Sequence, residues 1–367
     1  MTSAHKLGDG DTASLGAFGE SRLAALCQAL RLSDQQANEA RSLFRFISNC
    51  WADYPVGNRP PFRNDITDDG TPFEFSVGFE AEKPELRLLF ESQLTSGKLS
   101  PRSSWEAGIL LQRQLQQQGS IDTARFDRIA PLFAPGSNPA LPRFSLWHAA
   151  VLRYGAPTLY KAYVNPEILG AEHAAARLSD ALAELGMATP WRFLEERLGS
   201  DTRIPYLSLD LEAAQQARVK VYLTATHADA VDTLLSGCGN SNVGQARQWL
   251  RALTGFDGEY RERPILICYA FAGADRTPSA TVHVPIRSYI DNDEEALRRT
   301  VPLLAKASAE QLTAAMASLA QGPLAETRGL LSYVSLRTVA GRVRVTAYLS
   351  PGAYGVAAHA TTHISGG

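Results

Sequence analysis

Residues 217–223 read A-R-V-K-V-Y-L, and residues 158–164 read T-L-Y-K-A-Y-V. In a β-strand successive side chains point to opposite faces. Arg218, Lys220 and Tyr222 then share one face while Val219 and Val221 take the other, and Lys161 shares a face with Tyr163 in the same way. The apolar face belongs to a core. The other face brings ammonium, guanidinium and phenol groups into one space, which suits an anion beside a carbocation or a flat aromatic ligand. Lysine is scarce, six of the 36 basic residues, and two of the six fall in these short stretches. A solvated edge strand would explain one such stretch; a second copy points to a shared interior.

Working outward, five regions each hold two strand-like runs: residues 72–91, 144–165, 205–225, 264–289 and 331–351, the last around an Ala340-Gly341 turn. Helical periodicity fills the gaps. Residues 20–50 read as two helices broken near Leu32, where Ser33 and Gln36 form a capping-box pattern. Residues 103–118, 170–198, 227–252 and 293–320 continue the series. Five α-β-β-α repeats predict an α+β fold with a ten-stranded antiparallel sheet, its helices on one face. Closing the sheet into a barrel removes its edges. Ten strands leave a lumen wide enough for a ligand. The whole chain, 1–367, is expected to form a single such domain, with residues 1–15 and 357–367 poorly ordered.

The alternation also predicts what lines the lumen. Glu74 and Ser76 oppose Phe73, Phe75 and Val77; Arg87 lies between Leu86 and Leu88; Thr281 and His283 oppose Val282 and Val284. Tyr333, Ser335 and Arg337 share a face, as do Arg344, Thr346 and Tyr348.

Composition narrows the class. A net charge of −2 shows no basic footprint for nucleic acid. The longest apolar run, P-I-L-I-C-Y-A-F-A-G-A, is about half a membrane span. The opening M-T-S-A-H-K-L-G-D-G-D-T-A-S lacks a signal-peptide layout. Cys27, Cys50, Cys238 and Cys268 are widely spaced, which fits reduced thiols of a cytoplasmic protein better than disulfides or a zinc site.

Taken in order, P-F-E-F-S at Glu74, E-L-R-L-L-F-E at Arg87, Y-K-A-Y at Lys161 and Tyr163, R-V-K-V-Y at Arg218, Lys220 and Tyr222, T-V-H-V-P at His283, and Y-V-S-L followed by V-T-A-Y-L-S-P at Tyr333 and Tyr348 resemble a known family. It is that of the indole prenyltransferases of the dimethylallyltryptophan synthase type, in its bacterial branch, with the ABBA barrel of repeated α-β-β-α units. The resemblance implies transfer of a dimethylallyl or longer prenyl group from its diphosphate to the indole of tryptophan or a tryptophan-derived small molecule, by Friedel-Crafts-type alkylation of the ring or by N-alkylation, in secondary metabolism. Other acceptors of the same chemistry are a tyrosine derivative, a cyclic dipeptide or a larger indole alkaloid. Residue by residue, it implies that Glu74 accepts a hydrogen bond from the indole N–H, and that Arg87, Lys161, Arg218, Lys220 and Arg344 hold the diphosphate. Tyr163, Tyr222, Tyr333 and Tyr348 shield the allyl cation, with His283 in that shield where a tyrosine is common and Thr281 where a glutamine is common. No cofactor and no magnesium are required on this reading, and a monomer or homodimer is expected.

The residue types agree with that chemistry on their own terms. Clustered Lys and Arg stabilise a diphosphate as it leaves, phenol faces attract an allyl cation, and excluding water protects it. A base must then remove a proton from the acceptor; His148, in S-L-W-H-A-A-V-L, has the side-chain type for it, and is otherwise a satisfied wall histidine. A different class of function, a non-catalytic barrel that binds a phosphorylated or aromatic ligand, would use the same cations.

Other motifs read as architecture. Asp291–Glu295 is an acidic helix N-terminus and not a metal cluster. Residues 65–69 have loop composition, and Gly237–Gly244 has the wrong spacing for a dinucleotide fingerprint and reads as an interhelical loop. His359 and His363 fall in a small-residue tail, and Trp51, Trp105, Trp191 and Trp249 on helical segments that pack a core.

Overall fold

Ten strands pair each with its neighbour in the chain, and the last closes on the first: β1 (Phe73–Phe79), β2 (Glu85–Glu91), β3 (Leu146–Leu152), β4 (Leu159–Val164), β5 (Tyr206–Asp210), β6 (Val219–Ala225), β7 (Ile265–Phe271), β8 (Ser279–Val284), β9 (Leu331–Val339) and β10 (Arg342–Leu349). The closing ladder is antiparallel, with Phe75 opposite Leu349 and Val77 opposite Ala347. The computed structural model describes residues 13–62, 64–79, 83–94, 100–136, 144–153, 155–213, 217–240, 244–256, 258–274 and 277–355. His359 and His363, and the terminal stretches expected to be poorly ordered apart from residues 13–15, lie outside the described residues. Every predicted hairpin is present.

The helices lie outside the barrel. They are α1 (Leu15–Ala29), α2 (Asp34–Ser48), α3 (Pro101–Gln117), α4 (Ala124–Phe133), α5 (Ala174–Glu184), α6 (Ala188–Glu195), α7 (Ala228–Leu235), α8 (Gln245–Thr254), α9 (Asp293–Thr300) and α10 (Lys306–Leu319). The capping box at the start of α2 is formed: Ser33 Oγ accepts from Gln36 N, and Gln36 Oε1 accepts from Ser33 N. At α9 Asn292 caps Glu295 N and Asp293, Glu294 and Glu295 fill the first turn, so the acidic run is a helix N-terminus. The glycines at 237 and 244 both have positive φ, 76° and 78°, and lie between α7 and α8. Helix α4 was not expected; it is ten residues long with Pro131 inside, too short and interrupted for periodicity to show. Trp51 sits in the turn just after α2 and not on the helix, but it packs the core as expected, stacked on Phe73 at 5.3 Å with the ring planes 4° apart.

The Ala340-Gly341 turn has φ of 49° and 73°, the two positive values that a two-residue hairpin needs to match strand twist. The core lies between barrel wall and helices. Phe73, Phe75 and Val77 face outward into it, and Phe44 of α2 meets Phe73 edge-on at 5.1 Å. Consecutive antiparallel pairing puts all five hairpin turns at one end of the barrel and all helical connections at the other.

Gly19 of α1 lies where that packing is tightest. A Cβ there would stand 2.2 Å from Phe44 Cζ and 2.8 Å from Phe73 Cζ. Both atoms belong to fully buried rings that pack on each other and on Trp51. Gly19→Ala is expected to destabilise the fold by about 1–3 kcal/mol despite its better helix propensity, read as a lowered midpoint in urea unfolding; an unchanged or raised midpoint would show that α1 can shift.

Candidate active site

The barrel encloses a cavity of about 990 Å³, and the polar faces of its strands line it. The lining includes Glu74, Ser76, Arg87, Lys161, Tyr163, Arg218, Lys220, Tyr222, Thr281, His283, Tyr333, Ser335, Arg337, Arg344, Thr346 and Tyr348, the residues that strand alternation assigned to the lumen.

The cations cluster toward the hairpin end. Lys161 of β4 and Asp210 of β5 face each other in register and form an ion pair, and Arg218 Nε donates to Asp210 Oδ2 at 2.6 Å. Lys161 and Asp210 are buried, 5 % and 3 % exposed. Burial works against the Asp210 carboxylate, but the charges of Lys161, Arg218 and Lys220 outweigh it and hold it at about 2. Burial and the neighbouring Lys220 push the Lys161 ammonium down to about 7, with Asp210 acting against them. Lys220 makes no ion pair with any described residue. Burial lowers its pKa too, with further lowering from Arg218 and Arg87. Arg87 is held by Glu85, Nε to Oε1 at 2.6 Å. Arg344 sits opposite Arg337 across the β9–β10 ladder. This end thus gathers Arg87, Lys161, Arg218 and Lys220, with Glu85 and Asp210 as the carboxylates paired to three of them.

An aromatic belt runs along the lumen wall. Ring centroids run from Tyr163 to Tyr222 at 6.3 Å, Tyr222 to His283 at 5.7 Å, His283 to Tyr348 at 5.8 Å and Tyr348 to Tyr333 at 6.3 Å. His283 therefore occupies a link of the belt. Burial, then the charges of Lys220 and Arg87, lower its pKa to about 3, so it faces the cavity as a neutral ring. Burial likewise raises the phenols, Tyr348 to about 12.

The helical-connection end is different. Glu74, 5 % exposed, accepts a hydrogen bond from Ser332 Oγ at 2.6 Å. Burial raises its pKa to about 8, partly offset by the Ser332 hydrogen bond. It is thus buried and not a surface carboxylate at a strand end. Residues 64–70 cap this end as the loop expected from their composition. Asp69 accepts from Thr67 Oγ1 at 2.6 Å, from Thr71 N at 3.0 Å and from Tyr354 N at 3.0 Å. Asp68 Oδ1 accepts from Arg287 Nη2 at 2.5 Å and from Arg263 Nη2 at 2.9 Å. The guanidinium of Arg287 lies 5.5 Å from the Tyr333 ring centroid.

His148 does not reach the lumen. On β3 Trp147, Ala149 and Val151 line the cavity while His148 points outward, 1 % exposed. Its Nε2 is 3.0 Å from Gln112 Nε2 of α3, and its ring stacks on Phe90 at 5.8 Å. It shares a face with Leu146 and Ala150, both packed in the core. It is a wall histidine, and the reading as a base on the acceptor is corrected.

Several lining or supporting residues were not anticipated. Asp210 was within reach of alternation, since Y-L-S-L-D puts Tyr206, Ser208 and Asp210 on one face. Arg263, Arg287 and Asp68 lie outside the strands, where no periodicity marks them. Among the described residues no group of three or more His, Cys, Asp or Glu is arranged to hold a metal, and no helix is long and apolar enough to cross a membrane.

A family model described as tryptophan dimethylallyltransferase matches residues 23–318. Among solved structures, the chain is similar to 6-dimethylallyltryptophan synthase from Micromonospora olivasterospora in complex with DMASPP and Trp, at 31 % identity and a TM-score of 0.85, covering 94 % of this chain and 99 % of that one. It is similar to 5-dimethylallyltryptophan synthase from Streptomyces coelicolor, also in complex with DMASPP and Trp, at 28 % identity and a TM-score of 0.84, covering 97 % and 100 %. AnaPT from Neosartorya fischeri, at 18 % identity and a TM-score of 0.74 over 90 % and 91 %, shares the fold.

The Lys161–Asp210–Arg218 arrangement makes a prediction of its own. Asp210→Asn leaves a buried ammonium and a half-buried guanidinium without their counter-charge, a loss of about 3 kcal/mol in unfolding free energy for the empty protein. Inorganic diphosphate should then raise the melting temperature of the variant by more than it raises that of the wild type. Equal shifts would mean that the anion does not bind among these cations.

Proposed function

The chain belongs to the tryptophan dimethylallyltransferase family, and from that premise we propose that its cavity transfers a dimethylallyl group from dimethylallyl diphosphate to the indole ring of tryptophan, with Arg87, Lys161, Arg218, Lys220 and Arg344 on the diphosphate, Glu74 on the indole N–H, and Tyr163, Tyr222, His283, Tyr333 and Tyr348 around the allyl cation. One observation carries this reading: the lumen is polarised, with its lysines at one end, a buried carboxylate at the other, and a connected series of aromatic side chains on the wall of the same cavity. The two similar synthases were solved with DMASPP and Trp together, a pair of ligands that matches such a cavity.

The carbon–oxygen bond of the allylic diphosphate breaks with both electrons leaving on oxygen. With both lysines protonated, a form that an arriving anion favours, the five named cations less Glu85 and Asp210 carry a formal charge of +3 toward a tri-anionic leaving group. Because the cations are already positioned, little reorganisation is needed as charge develops. The allyl cation then lies against phenol and imidazole faces. An imidazolium at His283 would repel it; the neutral ring that burial enforces does not. The indole attacks the cation, positive charge spreads into the acceptor ring, and a carboxylate at Glu74 stabilises that charge through the N–H. Loss of the ring proton to the released diphosphate restores aromaticity.

With this charge balance the side chains take the place of a metal ion at the diphosphate, and we propose turnover without magnesium. The four cysteines, free in the structure, suit a reducing compartment and support a cytoplasmic enzyme, acting as one barrel domain.

Incubation with dimethylallyl diphosphate and L-tryptophan is expected to form a prenylated tryptophan and to continue in excess chelator. No prenylated indole would overturn the reading, and activity lost in chelator and restored only by a divalent ion would overturn its metal independence. For the acceptor, Glu74→Gln should cost about ten- to a hundredfold in kcat/KM, the worth of a charge-assisted hydrogen bond, leaving the diphosphate KM unchanged.

The sign of the pH dependence follows from the ionisation of Glu74. The carboxylate is the active form and its pKa in the empty cavity is about 8. At saturating dimethylallyl diphosphate, the acceptor kcat/KM of the wild type should therefore rise about tenfold per unit at lower pH and level off above the pKa that Glu74 has in the diphosphate-bound enzyme, which like that of the empty cavity is raised by burial. The same profile should be flat in Glu74→Gln. A flat wild-type profile would remove Glu74 ionisation from the acceptor step.

A further inference from the structure

One buried carboxylate beside the cavity has no part in the chemistry above. Glu91 ends β2, is 4 % exposed, and accepts a hydrogen bond from Trp147 Nε1 at 2.8 Å. Its other oxygen meets Ser104 Oγ of α3 at 2.8 Å and the Gln93 side-chain amide. Trp147 belongs to the lumen: it lines the cavity, stacks on Phe144 with ring centroids 4.0 Å apart, and lies 5.7 Å from the Tyr206 ring. With Ile66 of the capping loop, Leu89 and Tyr163 these rings form an apolar cluster separate from the main core. Register puts this cluster at the Glu74 end. Glu74 is opposite Leu89 in the β1–β2 ladder, and Glu91, two residues on, is opposite Trp147 in the β2–β3 ladder.

We propose that Glu91 is a positioning residue for the acceptor: by holding the Trp147 N–H from the end of β2, it fixes the indole plane that flanks the acceptor beside Glu74, and so sets which acceptor atom meets the allyl cation. The inference rests on the proposed reaction. Its physical basis is the fit between anchor and anchored group. An indole ring has a single donor, and a tryptophan in a barrel wall can turn about two side-chain bonds. Stacking on Phe144 constrains the ring plane but leaves the ring free to slide within it. The hydrogen bond to Glu91 removes that freedom. Glu91 in turn is held by Ser104 of α3 and by Gln93, so the helix layer and the lumen wall are joined through one carboxylate. Placement of reacting atoms tolerates errors well under an ångström, so a ring that slides would blur the choice of position. Burial raises Glu91 to about 7, and the hydrogen bonds from Ser104 and Trp147 act in the opposite direction, as expected where donors stabilise the charged form.

The test uses Glu91→Gln, Trp147→Phe and the double variant in the full chain. Trp147→Phe keeps an aromatic wall but has no N–H. Three quantities are read: the ratio of product positional isomers, the dissociation constant for L-tryptophan by calorimetry, and that for inorganic diphosphate. Each single variant is expected to weaken tryptophan binding about tenfold and to broaden the isomer ratio, with diphosphate binding unchanged. The double variant is expected to match Trp147→Phe, since the hydrogen bond can be lost only once. A merely structural role for Glu91 predicts additive losses and an unaltered isomer ratio, and that result overturns the inference. Should Glu91→Gln fail to fold, Trp147→Phe decides alone: wild-type isomer ratio and tryptophan affinity in that variant also overturn it. A wild type that neither binds nor prenylates tryptophan overturns the underlying reaction and this inference together, whereas a competent wild type with indifferent variants overturns the inference only.

Discussion

A closed sheet has no edge, and that constraint governs the rest of this molecule. Once β10 pairs with β1 every strand is bonded on both sides, so each side chain has only two destinations: the shell between barrel and helices, or the lumen. Alternation along ten strands then becomes a sorting rule for the whole chain. The outward set is apolar and packs under the helices, as with Phe73 and Phe75. The inward set is free to be polar because nothing has to pack against it. A cavity of about 990 Å³ is the room left between inward-facing side chains.

Sorting alone would give a polar tube; strand direction makes it a polarised one. Because successive strands run in opposite senses, residues near each hairpin turn collect at one end. Arg87, Lys161, Arg218 and Arg344 lie near the hairpin ends of their strands, with Lys220 one step further in, whereas Glu74 and Tyr333 lie near the helical-connection ends of theirs. Burying several cations together costs desolvation and mutual repulsion. Asp210 offsets part of that by holding Lys161 and Arg218 at once. Among the described residues Lys220 has no such partner, so an arriving anion would meet a cation not already held in an ion pair with them. The carboxylate at the far end is too distant in register to neutralise it.

Much of this was legible from period two. In R-V-K-V-Y, Y-K-A-Y and F-E-F-S the polar face is unmistakable because the intervening residues are apolar, and the structure brings Arg218, Lys220, Tyr222, Lys161, Tyr163 and Glu74 to the cavity. The rule loses force where both faces have similar chemistry. In L-W-H-A-A-V-L the outward face carries His148 and the inward face Trp147, so polarity points the wrong way; only the Leu146 and Ala150 on the histidine's own face mark it as core. Glu91 shows a second limit. Its alternation with Arg87 and Leu89 is readable, but its function depends on Ser104, thirteen residues away on a helix. The loop contributors Asp68, Arg263 and Arg287 come from three distant places, and only the closed barrel brings them together.

The two ends therefore differ in how they are built, and that difference has a functional logic. The cations stand on or beside paired strands, whose backbones are held on both sides by ladder hydrogen bonds. That rigidity suits a leaving group whose charge and shape do not vary. The opposite end is completed by the capping loop and by residues flanking β7 and β8, where insertions and substitutions disturb no ladder. Acceptor geometry can thus change while the ionising half of the cavity stays intact. Glu91 sits in the second of these halves, where it joins the paired strands. It lies at the last residue of a strand, its backbone N–H bonded to Pro72 O and its side chain tied to a helix and to a lumen aromatic. A carboxylate so placed transmits the rigidity of the barrel to the one large ring of the acceptor wall that stacking alone would leave free to slide.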